Sequence, residues 1–466
     1  MKLNSLDREL TEEEINYVFF HLSLHIRTDM SLNYLIGYHK KEDPKFKGIE
    51  IYKSDKGIDL HRVEVKTGIP LLFPVDKMNN IYEATSEKFI VKHDLIKASF
   101  YLLSAYQEFK CTDLDNYGRF KWENSIQYKL NIIHKPIVNY YFNWLIEAIS
   151  LYCKANSIEY EKINPLGKAT LHLTHDIDLL RYFSPKKIAY RWAQILGLRE
   201  CNTDKKRLTK DAVSSTLKLL KVKNMDNPYW SFSKIINTEN YYGYKSTWFF
   251  LPNANTIFDA DYKIEDDDVI KIMNQLAKMN NDIGVHCSLS TNNADEIKRE
   301  LIRIKNVCNS CSNISRAHFL RYNMDNSPSE YSKAGIEVDC SYGFSMNEGF
   351  RNSYCFPFFP FDHENQKISN IIEIPLTMMD TTLLTHKKLN YDDIYTIVEI
   401  LLEEVRKFGG VFSLLWHNST FDEIYNPNIL KFYEDLHHFF SQYNMQSLTT
   451  TEISNKIHSC IYNTKI

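Results

Sequence analysis

Leu171-His-Leu-Thr-His-Asp-Ile-Asp178 is a short apolar run that ends abruptly in two carboxylates. Alternate residues of a strand point to the same side, so Asp176 and Asp178 can face one small site, with His175 between the run and the acids. A buried carboxylate is costly unless it is paired or bound to a cation, so two of them at the mouth of a strand mark a place where charge is used. The bland reading is an Asx-rich turn after a strand, because Asp favours turns. The surrounding sequence decides between the two.

Working outward, short apolar runs recur from about residue 166. They span 170–174, 246–251, 282–287, 314–320, 335–339, 371–376 and 410–415, with helical patterns between most of them. Seven candidate strands alternating with helices argue for a parallel α/β architecture, as a barrel or an open sheet. Helical spacing is read at 186–196 and 211–222, and a further helix may open at Tyr229. Polar residues gather where the runs end: Asp176 and Asp178, His286-Cys-Ser288, Arg316-Ala-His318-Phe-Leu-Arg321, Asp339-Cys-Ser341-Tyr-Gly343 and Trp416-His417-Asn418. Active sites of parallel α/β folds lie at the carboxyl ends of strands. One such histidine is ordinarily structural, whereas five loaded strand ends out of seven point to a site. The residue types suit metal-assisted hydrolysis. A carboxylate and imidazoles hold zinc or a similar divalent ion, which acidifies water to a pKa of about 7 in favourable cases. A second carboxylate accepts a proton, an arginine orients it, and a distant histidine protonates the leaving group.

The bulk numbers fit this reading. With 466 residues, 44% hydrophobic and 25% charged, the chain is an ordinary globular protein of more than one domain or one large domain with an extension. A formal charge of −3 offers no footprint for nucleic acid. Acidic residues near the N-terminus stand where a signal peptide needs an apolar run, and no stretch reaches the length of a membrane span. The expectation is a cytoplasmic protein without a membrane span. Nine scattered cysteines, including Cys308 and Cys311, read as free thiols rather than a zinc ribbon. Residues 1–150 are read as an α+β extension, with a helix over 94–108 capped by Asp94, a turn at Asp115-Asn-Tyr-Gly-Arg119 and a helix beginning near Pro136. Residues 166–460 are read as the domain that carries the chemistry.

The ordered motifs resemble those of the NodB-homology polysaccharide deacetylases, carbohydrate esterases with a deformed seven-stranded (β/α) barrel. Thr174-His-Asp-Ile-Asp178 resembles the first motif with one residue more. The resemblance implies Asp176 as general base and Asp178 as metal ligand, though the extra residue leaves open an exchange of roles. His286-Cys-Ser288 resembles the second motif. It supplies the ligand His286 but has Ser290 where a second histidine is expected, so His318 is the candidate third ligand, with His175 in reserve. Arg316 matches the arginine that orients the base. Asp339-Cys-Ser341-Tyr342-Gly343 resembles the motif that lines the substrate pocket and offers a backbone amide to an oxyanion. Leu414-Leu-Trp-His417 matches the fifth motif, whose histidine is the general acid. A closer likeness is to a bacterial branch with His-Asp-Val-Asp, Gly-hydrophobic-His and Arg-x-His-x-Leu-Arg motifs and a Gly-Phe-Arg segment, here Gly349-Phe-Arg351 before Pro357-Phe-Phe-Pro-Phe-Asp362. Tyr101-Leu-Leu-Ser-Ala-Tyr-Gln-Glu108 resembles a helix in that branch's N-terminal extension. The resemblance implies one divalent ion, zinc ahead of manganese, iron, cobalt or nickel, and a carbohydrate substrate whose N-acyl group is removed in surface-glycan metabolism. The alternative is a catalytically degenerate glycan-binding or scaffolding module, supported by Ser290.

Other residues have two readings each. Arg351 binds a substrate anion or makes a surface ion pair. Trp416 stacks on a sugar or fills the core. His21 and His25 sit at helical spacing that can bind metal, but read better as a helix face. Asp266, Asp267 and Asp268 read as a solvated helix start, and His363 and His386 as surface loop residues.

Overall fold

The computed structural model describes residues 5–463 apart from 59, 61–62, 76–80, 85–87, 202, 254–255 and 257. Its centre is a parallel sheet of nine strands. They are β1 (Thr170–Ile177), β2 (Ser246–Phe250), β3 (Asp282–Cys287), β4 (Cys311–Ala317), β5 (Val338–Asp339), β6 (Ile372–Glu373), β7 (Met378–Met379), β8 (Val411–Leu415) and β9 (Gln446–Ser447). The order is β6-β5-β4-β3-β2-β1-β8-β7, with β9 also paired to β1. Every residue of β1 is buried, which is why its sequence reads as a nearly continuous apolar run rather than an alternation.

The two edge strands, β6 and β7, are adjacent in the chain. Ile374 N–H donates to Asp339 O (2.9 Å) and Leu376 N–H to Tyr342 O (3.0 Å), whereas Thr377 N–H donates to Ser413 O (3.0 Å). One extended stretch therefore leaves the β5 side and joins the β8 side, and the sheet curls round on itself. The expected parallel α/β architecture is present. The strand count differs from the seven runs read in the sequence: the run at 371–376 leads into two short strands, and β9 is additional. The helical readings are shifted at their ends, to Pro185–Ile195, Lys205–Leu219 and Phe232–Tyr241. Asp94 caps Leu95–Leu103 as expected, accepting from Lys97 N–H. None of the helices among the described residues is long and apolar enough to cross a membrane.

The N-terminal region forms a small mixed sheet, with Ile36–His39, Gly48–Tyr52 and Lys88–Val91 parallel and Glu83–Ala84 antiparallel at the edge. The helices Glu12–Ser23, Leu95–Leu103 and Ile137–Ala155 accompany it. One hydrophobic cluster runs without interruption from this region into the large sheet. The link is the segment between β5 and β6. Val138 N–H donates to Ser353 O (2.9 Å) and Phe350 N–H to Ile133 O (2.8 Å). Gly349 sits at φ +120°, and a Cβ there would come within 2.3 Å of Ile133 O. Glycine is needed for that close approach.

Several expectations change here. Arg351 is neither a substrate ligand nor a surface residue. It is buried and binds Glu108 with two hydrogen bonds, Nε to Oε1 at 3.0 Å and Nη2 to Oε2 at 2.6 Å. Burial without such a partner would leave its charge uncompensated. Tyr342, expected to bind substrate, is also buried and donates its hydroxyl to Glu108 Oε1 (2.8 Å). His363 is not a surface residue: it is buried with Nε2 2.9 Å from Ser104 O. His25 lies beyond the end of Glu12–Ser23 and bonds Tyr354 Oη (2.7 Å), while His21 accepts from Phe359 N–H (3.1 Å). Both are core residues tying the two regions together. His386 is exposed, as expected.

Glu108→Ala is expected to destabilise the fold by about 3–5 kcal/mol, because it strands the Arg351 guanidinium in the interior. Denaturant unfolding of the full chain measures this, and a loss below 1 kcal/mol contradicts the role given to the pair.

Candidate metal and catalytic site

The carboxyl ends of β1, β3, β4 and β8 converge on one small cluster. On β1, Thr174, Asp176 and Asp178 share a face by strand alternation. Asp178 Oδ1 lies 3.3 Å from His286 Nε2 and 3.7 Å from His318 Nε2, and its Oδ2 lies 3.6 Å from His417 Nε2. Among the described residues, Asp178, His286 and His318 are the one group of three candidate ligands whose donor atoms all fall within 4.8 Å of one another.

The tautomer of His286 follows from its partner. Nδ1 lies 2.9 Å from the Arg316 carbonyl oxygen, which only accepts. Nδ1 therefore carries the hydrogen, and in the neutral ring Nε2 presents a lone pair to the cluster, the arrangement typical of ligating histidines. His286 Nε2 and Asp178 Oδ1 are both buried without a hydrogen-bond partner. Orphaned donors of this kind are rare unless an ion or water completes them, so the residues fit a divalent cation. Burial pushes the Asp178 carboxyl up, but His318, His286 and His417 outweigh it and hold the group well below the usual carboxylate range.

Asp176 is nearly fully buried beside this cluster. Arg316 Nη1 lies 3.4 Å from its Oδ1 and donates to Thr174 Oγ1 at 2.8 Å, while Arg316 Nε donates to Cys340 O at 3.0 Å. The guanidinium is thus fixed by three elements and stacks over Phe249 at 4.8 Å. On the far side, His417 follows β8. Its Nδ1 lies 2.7 Å from Asp380 Oδ1, and its backbone N–H donates to Asp380 Oδ2 (2.9 Å). Thr420 Oγ1 donates to the same carboxylate. Burial alone lowers the affinity of His417 for a proton, but Asp380, with help from Asp178 and Asp176, reverses this and pushes its pKa up to about 10. Its Nε2 faces the cluster with a proton to give. Asp380 was missed in the sequence. It ends the short strand β7, after an apolar run that carries no polar cluster, so no local signal marked it.

Not every sequence candidate faces the cluster. His175 projects from the opposite side of β1, between Glu239 Oε1 (2.8 Å) and Trp416 O (2.9 Å), and its reserve role as a ligand is excluded by strand alternation. Ser290 is exposed in the loop after β3. Trp416 is buried at 0% exposure against Tyr433 and Phe432, so a sugar cannot stack on it. Asp339 is equally buried. It accepts from Ser315 Oγ and from Ser341 N–H (2.8 Å), while Ser341 Oγ accepts from Ala317 N–H (2.7 Å). The expected substrate contacts of Asp339 and Ser341 are thereby replaced by structural ones. The amides expected to hold an oxyanion are also engaged, Cys340 N–H with Ser315 O (3.0 Å) and Tyr342 N–H with Glu373 Oε1 (2.8 Å).

The N-terminal region reaches this site. His318–Leu320 is a tight turn with Phe319 at φ +59° and Leu320 at +52°, an uncommon conformation for side-chain-bearing residues. Arg119 Nη1 donates to Phe319 O (2.6 Å), and Tyr117 stacks on the Phe319 ring at 4.9 Å. Asp115 in turn holds Arg119 through Nε (2.7 Å) and its backbone N–H (2.9 Å). The turn read in the sequence at 115–119 is therefore the support of the loop that carries His318.

Residues 8–153 match a family model described as a family of unknown function, DUF7033. No curated protein matches the chain. Among solved structures it is similar to PuuE allantoinase, at 11% identity over 64% of this chain and 94% of that one, with a TM-score of 0.42. It is also similar to the Bc1960 peptidoglycan N-acetylglucosamine deacetylase, at 12% identity over 62% of this chain and 90% of that one, with a TM-score of 0.32. A third is Bacillus subtilis PdaA, a family 4 carbohydrate esterase, at 10% identity over 62% and 82%, with a TM-score of 0.29.

Proposed function

We propose that the chain is a metal-dependent hydrolase that removes an N-acyl group, acetyl in the first instance, from an amino sugar or polysaccharide precursor of a surface glycan. The observation that carries this reading is the meeting of Asp176, Asp178, His286, His318 and His417 from four strand ends in one buried cluster. Asp178, His286 and His318 would hold the ion, zinc first among the candidates. When bound, it would polarise the acyl carbonyl and acidify a water.

The remaining work falls to this chain's own groups. Asp176, held by Arg316, accepts a proton from water as general base. Arg316 keeps that carboxylate ionised and oriented. His417, charged through its contact with Asp380, donates its Nε2 proton to the leaving amine. The roles of Asp176 and Asp178 are split by their neighbours: Asp178 faces three imidazoles, whereas Asp176 faces the arginine. With His318 beside His286, the reading does not require a histidine at position 290. The degenerate glycan-binding alternative predicts sugar binding with no acyl release.

Purified protein is expected to take up one zinc or similar ion per chain. Asp178→Asn, His286→Ala and His318→Ala should each weaken uptake by more than the roughly 10–100-fold typical of losing an outer-shell partner, whereas Asp176→Asn should retain the ion. Metal analysis and calorimetric titration measure this, and equal uptake by all four variants contradicts the ligand set. Arg119→Met should also weaken uptake, while Arg119→Lys restores part of it, because Arg119 fixes the loop bearing His318. In acetate-release assays on N-acetylated glycan oligomers, Asp176→Asn and His417→Ala should lower kcat by about 10²–10⁴-fold, the range for losing a general acid or base, with unchanged circular dichroism. Asp380→Asn should lower kcat less. Release that survives Asp176→Asn rules out this mechanism.

A further inference from the structure

Between β1 and β2 the chain inserts an antiparallel helical hairpin, Pro185–Ile195 and Lys205–Leu219, with a basic tail to Lys223. Residues 184–223 contain eleven Lys or Arg against three Asp or Glu, a net of +8 in a chain whose total is −3, so the rest of the chain sums to −11. The hairpin also exposes apolar side chains that a solvated helix pair would not need. Leu196 and Leu198 at its turn are 70% and 74% exposed, and Leu220 and Val222 at the end of its second helix are 64% and 70% exposed. Its inward face is well anchored. Arg191 pairs with Asp211 at 3.1 Å, Trp192 Nε1 donates to Thr216 Oγ1 (3.1 Å), and Arg207 donates to Glu423 O (3.1 Å).

We propose that this hairpin docks the protein on an anionic lipid surface. Clustered lysines next to exposed leucines are what an interfacial helix needs: apolar side chains that enter the headgroup boundary and cations that meet lipid phosphates. Interfacial helices lie along the membrane plane, and a hairpin lying so presents both of its ends, which is where the exposed leucines are. A nucleic-acid ligand would use the charge but not the leucines, and a second copy of this acidic-bodied chain would use the leucines but not concentrate the charge. The hairpin begins six residues after Asp178. Asn418, next to His417, donates to Leu179 O (2.7 Å) at its root. Docking therefore brings the rim of the proposed site to the membrane, where the polar head of a lipid-anchored substrate would be presented. The docking itself does not depend on the hydrolase reading.

The test is flotation of the full-length protein with vesicles of phosphatidylcholine alone or with 30% phosphatidylglycerol, at about 50 mM and 500 mM salt. Binding is expected only to the anionic vesicles, with loss at high salt. The exposed triple variant Lys205→Gln/Lys206→Gln/Lys210→Gln should reduce partitioning by about fivefold per lysine, and Leu196→Ser/Leu198→Ser should reduce it at constant charge. Metal uptake and acetate release from a soluble oligomer should be unchanged in both, so failure of docking is separable from failure of the hydrolase reading. The proposal is overturned by no binding to anionic vesicles at 50 mM salt or by binding that ignores the hairpin variants. It is also overturned by a dimer in solution that dissociates in Leu196→Ser/Leu198→Ser, or by a nucleic-acid affinity insensitive to the leucines.

Discussion

Two carboxylates buried at the end of one strand are the constraint around which this molecule is organised. Water cannot solvate Asp176 and only partly reaches Asp178, so each requires a counter-charge supplied by the protein. The fold meets the demand asymmetrically. Asp176 receives a guanidinium from β4, whose own carbonyl fixes the ring of His286. Asp178 receives imidazoles from three separate strand ends. None of these compensations is local in sequence, so the cluster exists only when β1, β3, β4 and β8 are in register. Stability and chemistry are therefore set by the same contacts.

A similar economy governs the other half. Arg351 and Glu108 form a buried, doubly hydrogen-bonded pair between the segment after β5 and the N-terminal region, and Arg119 supports the loop of His318. The N-terminal region is therefore part of the scaffold of the site. Its residues 115–119 act through Phe319, not through contact with the reacting groups.

The sequence made legible what depends on short-range pattern. Buried parallel strands announce themselves as apolar runs, and polar residues at their ends stand out against that background, so Asp176, Asp178, His286, Arg316, His318 and His417 could be named and were found together. What failed was burial. A polar or aromatic residue near a strand end reads as a site residue whether it faces the cleft or the core. Trp416, Asp339, Tyr342 and Arg351 all face the core, because the partners that accept them, Tyr433, Ser315 and Glu108, come from distant parts of the chain. Asp380 failed in the opposite sense: its importance lies wholly in a contact with His417, 37 positions away. The strand count failed because one extended stretch changes neighbours midway, which no periodicity encodes.

The close approach of Gly349 to Ile133 has an implication for how such a chain can change over time. Composition and spacing place a boundary near residues 150–166, where one would expect modules to be exchanged freely between genes. The backbone contact at that glycine, with the aromatic stretch Phe356–Phe361 wedged beneath the neighbouring helices, makes the true seam a broad interlocked surface far from the linker. Recombination at the linker would pair surfaces that had never been fitted to one another, so the two parts are bound to be inherited as a unit.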